Sequence, residues 1–239
     1  MRRLGVVTGL LLLSLSLVGL VPATAAAASG KLASVSLLDG QAQLLQGGDE
    51  AKKVALKVGS TVGVGDVVLV GEKSFLELSL PDKSVIRVAP SSRMLVEGIL
   101  FEDAGERSFS ARLMFGSVWS KVSTVLGGES KFEVKTDNAV AGVRGTTFRV
   151  DARADKSAVV SVFAGSVAVG KGGPIAAAHT PGVRKEKAGP KEVSKGEWEK
   201  LVLGMMKVKI AADGTPGEPE KVTELDIDDF ARFNQKRDN

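Results

Sequence analysis

KFEVKTDNAVAGVRGTTFRV, Lys131–Val150, is the stretch on which the reading of this chain turns. Phe132, Val134 and Thr136 alternate with Glu133 and Lys135, the period of a strand with one dry and one wet face. A compact turn follows, in which Gly142 and Gly145 flank Val143 and Arg144. Phe148, Val150 and Ala152 then alternate with Arg149 and Asp151, so a second strand leaves the turn. Two glycines this close predict backbone at positive φ, or an approach that a Cβ would block. Arg144, between aliphatic neighbours, is expected to bury its stem and pair its guanidinium with a carboxylate or backbone carbonyls. Asp66, Glu77, Asp82 and Glu133 are the candidate partners, with Thr146 satisfying backbone groups at the same corner. A ligand or partner contact made by Arg144 is the other use of that side chain.

Working outward, Ala33–Leu45 reads as a strand or hairpin turning at Asp39-Gly40, and Gly47-Gly48-Asp49 as a loop. Leu56–Val70 is rich in valine and broken by Gly59, Gly63 and Gly65, a pattern of short strands and tight corners. Leu76, Leu78 and Leu80 face one way and Phe75, Glu77 and Ser79 the other; Pro81-Asp82 turns, and Val85–Val88 returns. Met94–Phe101 and Phe109–Val118 are further strands, joined by the charged Glu102–Arg107, and Gly127-Gly128 marks a loop. The total is about ten short strands spaced near ten residues apart, with no helix before Lys191, which predicts an all-β sandwich, barrel or solenoid. Spacing alone does not choose among them.

Phe132–Val150, followed by AVVSVFAGSVAVG (Ala158–Gly170), resembles the carboxyl half of a FecR domain. The shared features are a strand, an alanine/valine connector, Arg-Gly-Thr, a strand, and a Val-x-Val, Gly-x-Val-x-Val strand pair. Leu56–Glu97 resembles the amino half through Gly59, Gly65-Asp66, the strand Phe75–Leu80, the turn at Asp82 and Val88–Ser92. The resemblance runs from Leu32 to Val169. The family often has Thr-Pro where Thr136-Asp137 stands and Asp-Gly-Ser where Asp82-Lys83-Ser84 stands, so the departures bear on turn geometry. The resemblance implies a β-solenoid-like, twisted β-sheet domain over 32–169. It also implies regulation: FecR proteins are membrane-spanning regulators whose periplasmic part hears an outer-membrane receptor and whose cytoplasmic part controls a sigma factor. Few residues precede the apolar leader, so the cytoplasmic anti-sigma region is expected to be missing here. A non-catalytic envelope module with a protein partner is the resulting expectation. Because FecR domains also occur beside peptidoglycan-binding modules, binding of peptidoglycan or polysaccharide is the alternative. Two tryptophans, Trp119 and Trp198, and no tyrosine weigh against strong sugar stacking.

Arg2 and Arg3, an apolar run from Leu10 to Val21 and small residues over Ala23–Ala28 form a secretory signal peptide covering 1–28. Export to the periplasm or outer envelope follows. An uncleaved leader acting as a membrane anchor is the alternative, since Leu4–Val21 approaches spanning length. With no cysteine, disulfides, thiol catalysis, cysteine metal sites and lipid attachment at a leader cysteine are excluded. The pI near 9.2 misleads: 32 Lys and Arg against 28 Asp and Glu leave +4, and setting Arg2 and Arg3 aside leaves +2. Without tyrosine or cysteine and with one histidine, almost nothing titrates between carboxylates and lysines, so a small excess of base moves the isoelectric point far. No footprint for nucleic acid is visible.

Residues 170–193 read as a strap and 194–239 as a small α+β appendage. Ser194–Glu197 is a capping box. Trp198, Leu201, Val202 and Met205 fall at helical spacing, predicting a short amphipathic helix docked on the β-domain. Val208 and Ile210 read as a strand, Asp213-Gly214 as a turn, and Val222, Leu225 and Ile227 as a return strand before an acidic, fraying end at Glu224–Asp229. Asp226, Asp228 and Asp229 lack the ligand spacing of a calcium loop, and a solvated tail is expected. Gly63-Val-Gly65-Asp66 has no following helix or lysine for phosphate and reads as a corner. His179, the one histidine, reads as an exposed loop residue, and no serine has nucleophile-elbow context. Catalytic, metal and cofactor sites are not expected.

Overall fold

The computed structural model describes residues 32–101, 106–123, 130–143, 145–172 and 198–238. Short β-branched runs give strands, and two sheets form because the chain changes layer at about every second corner. The front sheet has the order β4-β1-β6-β7-β9-β12-β13-β16-β17. Its strands are β1 (Ala33–Asp39), β4 (Thr61–Val62), β6 (Phe75–Ser79), β7 (Val85–Val88), β9 (Arg107–Lys121), β12 (Thr147–Ala152), β13 (Ala158–Ala164), β16 (Met206–Ile210) and β17 (Glu220–Lys221). The back sheet has the order β3-β2-β5-β8-β9-β10-β11-β14-β15. It adds β2 (Ala42–Leu45), β3 (Lys53–Ala55), β5 (Val67–Val70), β8 (Arg93–Phe101), β10 (Ser130–Lys135), β11 (Ala139–Val143), β14 (Ser166–Lys171) and β15 (Trp198–Leu203). Strand β9 belongs to both: Arg107–Phe115 pair in the back sheet and Gly116–Lys121 in the front. Among the described pairings only β9–β10 is parallel.

The alternation read from the sequence sets the core. Leu76, Leu78, Ile86, Val118, Phe148 and Val160 face inward from the front sheet; Met94, Phe109, Leu113, Phe132, Val134 and Val167 meet them from the back. Where the chain crosses between layers, small or left-handed residues sit against one another. Gly116 has φ +94, and a Cβ there would lie 2.1 Å from the Ser92 Oγ. At the signature corner Gly145 has φ 59, and a Cβ on Gly165 would meet its carbonyl oxygen and the Thr146 Oγ1 at 2.9 Å. Gly142, in contrast, is an ordinary strand residue of β11, opposite Glu133 and Ala168. The all-β, twisted-sheet domain expected from the resemblance is present, as antiparallel sheets that curl on one another.

The C-terminal region differs from expectation. The segment predicted as a helix is strand β15: Val202 enters the core, while Leu201 is 60% exposed and Met205 53%. Apolar residues on the outer side of a strand imitated helical spacing. The Ser194–Glu197 capping box lies outside the described residues, as does the Trp198 side chain. After β16, the turn at Asp213-Gly214 and the two-residue β17, the end of the chain is not a fraying tail but helix α1 (Asp229–Asp238). Among the described residues no helix is long and apolar enough to cross a membrane.

Candidate functional site

Register places polar side chains in one row across the outer face of the front sheet. Glu77 lies opposite Arg87, Arg87 opposite Trp119, Trp119 opposite Arg149, Arg149 opposite Ser161, Ser161 opposite Lys207, and Lys207 opposite Glu220. All point away from the core because the neighbours of each along its strand point in. Helix α1 covers the row from Glu77 to Arg149. A second small core forms beneath it from Ala89, Trp119, Phe230 and Ala231, flanked by Phe75, Phe163 and Ile227. Phe75 stacks on Phe233 with centroids 5.0 Å apart, and Trp119 stacks on Phe163 at 4.3 Å.

Charges under and beside the helix are mutually satisfied. The Arg87 Nε donates to Glu77 at 2.7 Å, and its Nη1 donates to Asp238 at 2.8 Å and Asn234 at 3.2 Å. The Trp119 indole N–H donates to the other Asp238 oxygen at 3.0 Å. Burial raises the Glu77 carboxyl, but hydrogen bonds from Arg87 and Ser36 and the charges of Arg87 and Arg237 outweigh it and hold it below the ordinary range. Arg149 donates to Asp151 at 2.7 Å and to both oxygens of Asp228 at 2.8 Å, and its guanidinium lies over the Phe230 ring. Burial would lower that guanidinium's pKa; Asp151 and Asp228 raise it above its ordinary value. Asp228 also caps α1 by accepting the Ala231 N–H at 2.8 Å. Beside this pair opens a cleft of about 350 Å³ lined by Ser117, Arg149, Asp151, Ser161, Asp226 and Asp228, with Leu225 exposed at its rim. On the back sheet's outer face Glu97 takes Arg112 at 2.6 Å and Lys135 at 3.1 Å.

The sequence-predicted corner is partly visible. Arg144 lies outside the described residues, as does His179. Thr146 is buried and donates to the Ser166 carbonyl at 2.9 Å, while its own carbonyl accepts the Val122 N–H. The four proposed carboxylates are not gathered in one place. Asp66 accepts the N–H groups of Gly47 and Gly63, so Gly63-Val-Gly65-Asp66 is a corner. Glu77 serves Arg87, Asp82 accepts the Ser84 N–H and hydroxyl, and Glu133 pairs with Lys131 and Lys135. Of Leu201, Val202 and Met205 only Val202 packs on the β-domain, and α1 docks separately through Phe230, Ala231 and Phe233. Two of the acidic residues read as a solvated tail are engaged, Asp226 with Lys207 and Thr223 and Asp228 with Arg149, whereas Asp229 stays in solvent beside the exposed Arg232. Among the described residues no group of three His, Cys, Asp or Glu side chains is placed to hold a metal. The outer-face row was legible only in part, since the period showed which residues face out but not that α1 returns to cover them.

A family model described as FecR protein matches residues 66–168. Two crystal structures of a candidate anti-sigma factor from Parabacteroides distasonis ATCC 8503 are similar to the chain at 18% identity, each with a TM-score of 0.44. Each likeness covers 65% of this chain and 59% of that one. No curated protein matches the sequence. The corner at Gly145-Thr146 and the row from Glu77 to Ser161 both fall inside the matched segment, whereas β15 to α1 lie beyond it. The family that this chain matches, over residues 66–168, is therefore FecR.

Proposed function

We propose that this chain is a non-catalytic module of the cell envelope, exported by its leader, that signals through contact with another protein. The FecR domain at 66–168 carries this reading. Its charged side chains support it, because they are spent on one another: Arg87, Arg149 and Glu97 each hold opposite charges at hydrogen-bond distance. Such groups orient elements and leave little free basicity for proton transfer.

Strand addition at β15 is the contact the fold favours. The outer strands β3, β4 and β17 are two or three residues long, the usual way of blunting an edge. β15 has six residues, pairs only with β14 among the described residues, and carries Leu201 and Leu203 outward, the latter 51% exposed. An extended segment of a partner would gain main-chain hydrogen bonds there and cover both leucines. The glycan reading gains nothing from Trp119, which is 1% exposed and locked beneath α1.

The test is retention of an envelope protein by the immobilised full chain, beside sedimentation with peptidoglycan. Retention should be lost in a Leu201→Glu/Leu203→Glu variant, and the chain should stay in the supernatant with peptidoglycan. Co-sedimentation with peptidoglycan, or retention indifferent to both leucines, overturns the reading.

A further inference from the structure

Helix α1 has ten residues, and an isolated helix shorter than about 12–15 residues is marginal in water. Its order comes from the floor beneath it. That floor grips in three places. At the near end Asp228 caps the helix while held by Arg149. In the middle Phe230 and Ala231 are buried against Trp119 and Ala89, and Phe75 stacks on Phe233. At the far end Asp238 takes Arg87 and the Trp119 indole, while its carbonyl accepts the Lys121 ammonium at 2.8 Å. Phe75, Arg87, Trp119, Lys121 and Arg149 all belong to the FecR segment, and every residue of the helix lies outside it.

The main core closes between the inner faces of the two sheets and does not need this helix. The floor is therefore a groove shaped for a helix, on a domain that carries a tethered occupant further along the same chain. We infer that the outer face of the front sheet is a docking groove for a helix of a partner protein, and that α1 is the competitor that keeps it shut. The occupant it fits is an amphipathic helix with two aromatic residues three apart, a small residue after the first, and a carboxylate eight positions beyond it. Phe230, Ala231, Phe233 and Asp238 show that pattern. A tethered helix competes at high effective concentration, so weakening its grip should raise the apparent affinity of an external one without changing the groove. The inference rests on the chain being a contact module, yet it uses the sheet opposite β15, so the two can fail separately.

The probe is a labelled peptide of residues 224–238, titrated by fluorescence anisotropy against the full chain. The wild-type chain should bind weakly. Asp238→Ala removes the carboxylate that takes Arg87 and the Trp119 indole, leaving Asn234 on Arg87 and the groove itself intact, and should bind the peptide at least about tenfold more tightly. Adding Arg87→Met should abolish that gain, and Leu201→Glu/Leu203→Glu should leave it unchanged. An Asp238→Ala chain with wild-type circular dichroism and no tighter binding overturns the inference. Hydrogen exchange on the wild-type chain gives a check that needs no variant. Amides of residues 233–238 should exchange well before those of β9; exchange of both only together would make α1 part of the cooperative core and overturn it equally.

Discussion

Asp226 shows how a single side chain ties stability to pH. Burial raises its pKa, but hydrogen bonds from Lys207 and from Thr223 outweigh that and lower it from 3.8 to about 2. A carboxyl depressed on folding contributes stability that is complete above its ordinary value and disappears as pH falls through the folded one. Asp226→Asn should therefore melt below wild type at pH 7, and thermal denaturation should show the two curves converging between pH 4 and pH 2. A constant offset down to pH 2 would mean that the pairing with Lys207 contributes nothing. Lys83 makes a different point. It stands where the family often has glycine, and it adopts φ 69 while Asp82 and Leu80 close the turn around it. Lysine in the left-handed region is strained by roughly 1 kcal/mol, so Lys83→Gly should stabilise the chain by up to about that amount in urea denaturation.

At the level of elements, strands and corners were legible and the end of the chain was not. Phe75–Ser79, Val85–Val88 and Thr147–Ala152 announce themselves because one face of each is dry, which writes a period of two into the residues. Helix α1 has no such mark: only Phe230, Ala231 and Phe233 are apolar, and their burial depends on Trp119 and Phe75, more than a hundred residues upstream. Long-range docking of a polar helix leaves little trace in local sequence. β15 failed for the opposite reason, since Leu201 and Leu203 stay apolar on an exposed side where a polar residue would have revealed a strand. The candidate row was half readable for the same cause, with the outward-facing residues evident and their cover not. Corner glycines allow a direct comparison. Gly59 and Gly116 both have positive φ, but a Cβ on Gly59 meets nothing within 4 Å, whereas on Gly116 it meets the Ser92 Cα at 2.7 Å. Gly59→Ala should cost about 1 kcal/mol from conformation alone. Gly116→Ala should add roughly 1–3 kcal/mol of overpacking and lower the melting temperature clearly further.

The whole molecule is larger than its recognisable family segment. β1 and β2 supply Val35 and Leu44 to the core from one side, and β15 and β16 supply Val202, Val208 and Ile210 from the other. Residues 66–168 expressed alone would lose both flanks, baring Val160, Val162, Val167 and Val169 on their inner faces. That fragment should aggregate on size-exclusion chromatography, while the chain from Leu32 to Asp238 elutes as a defined species. A soluble, folded fragment would show that the flanks are accessories. One backbone, the fifteen residues of β9, is woven through both layers and bends between them at Gly116. Tension applied to either layer must run along that common thread, so neither can slide or peel away while its counterpart stays whole. Pulled from its ends, such a body should give way in one abrupt rupture under single-molecule force rather than strand by strand.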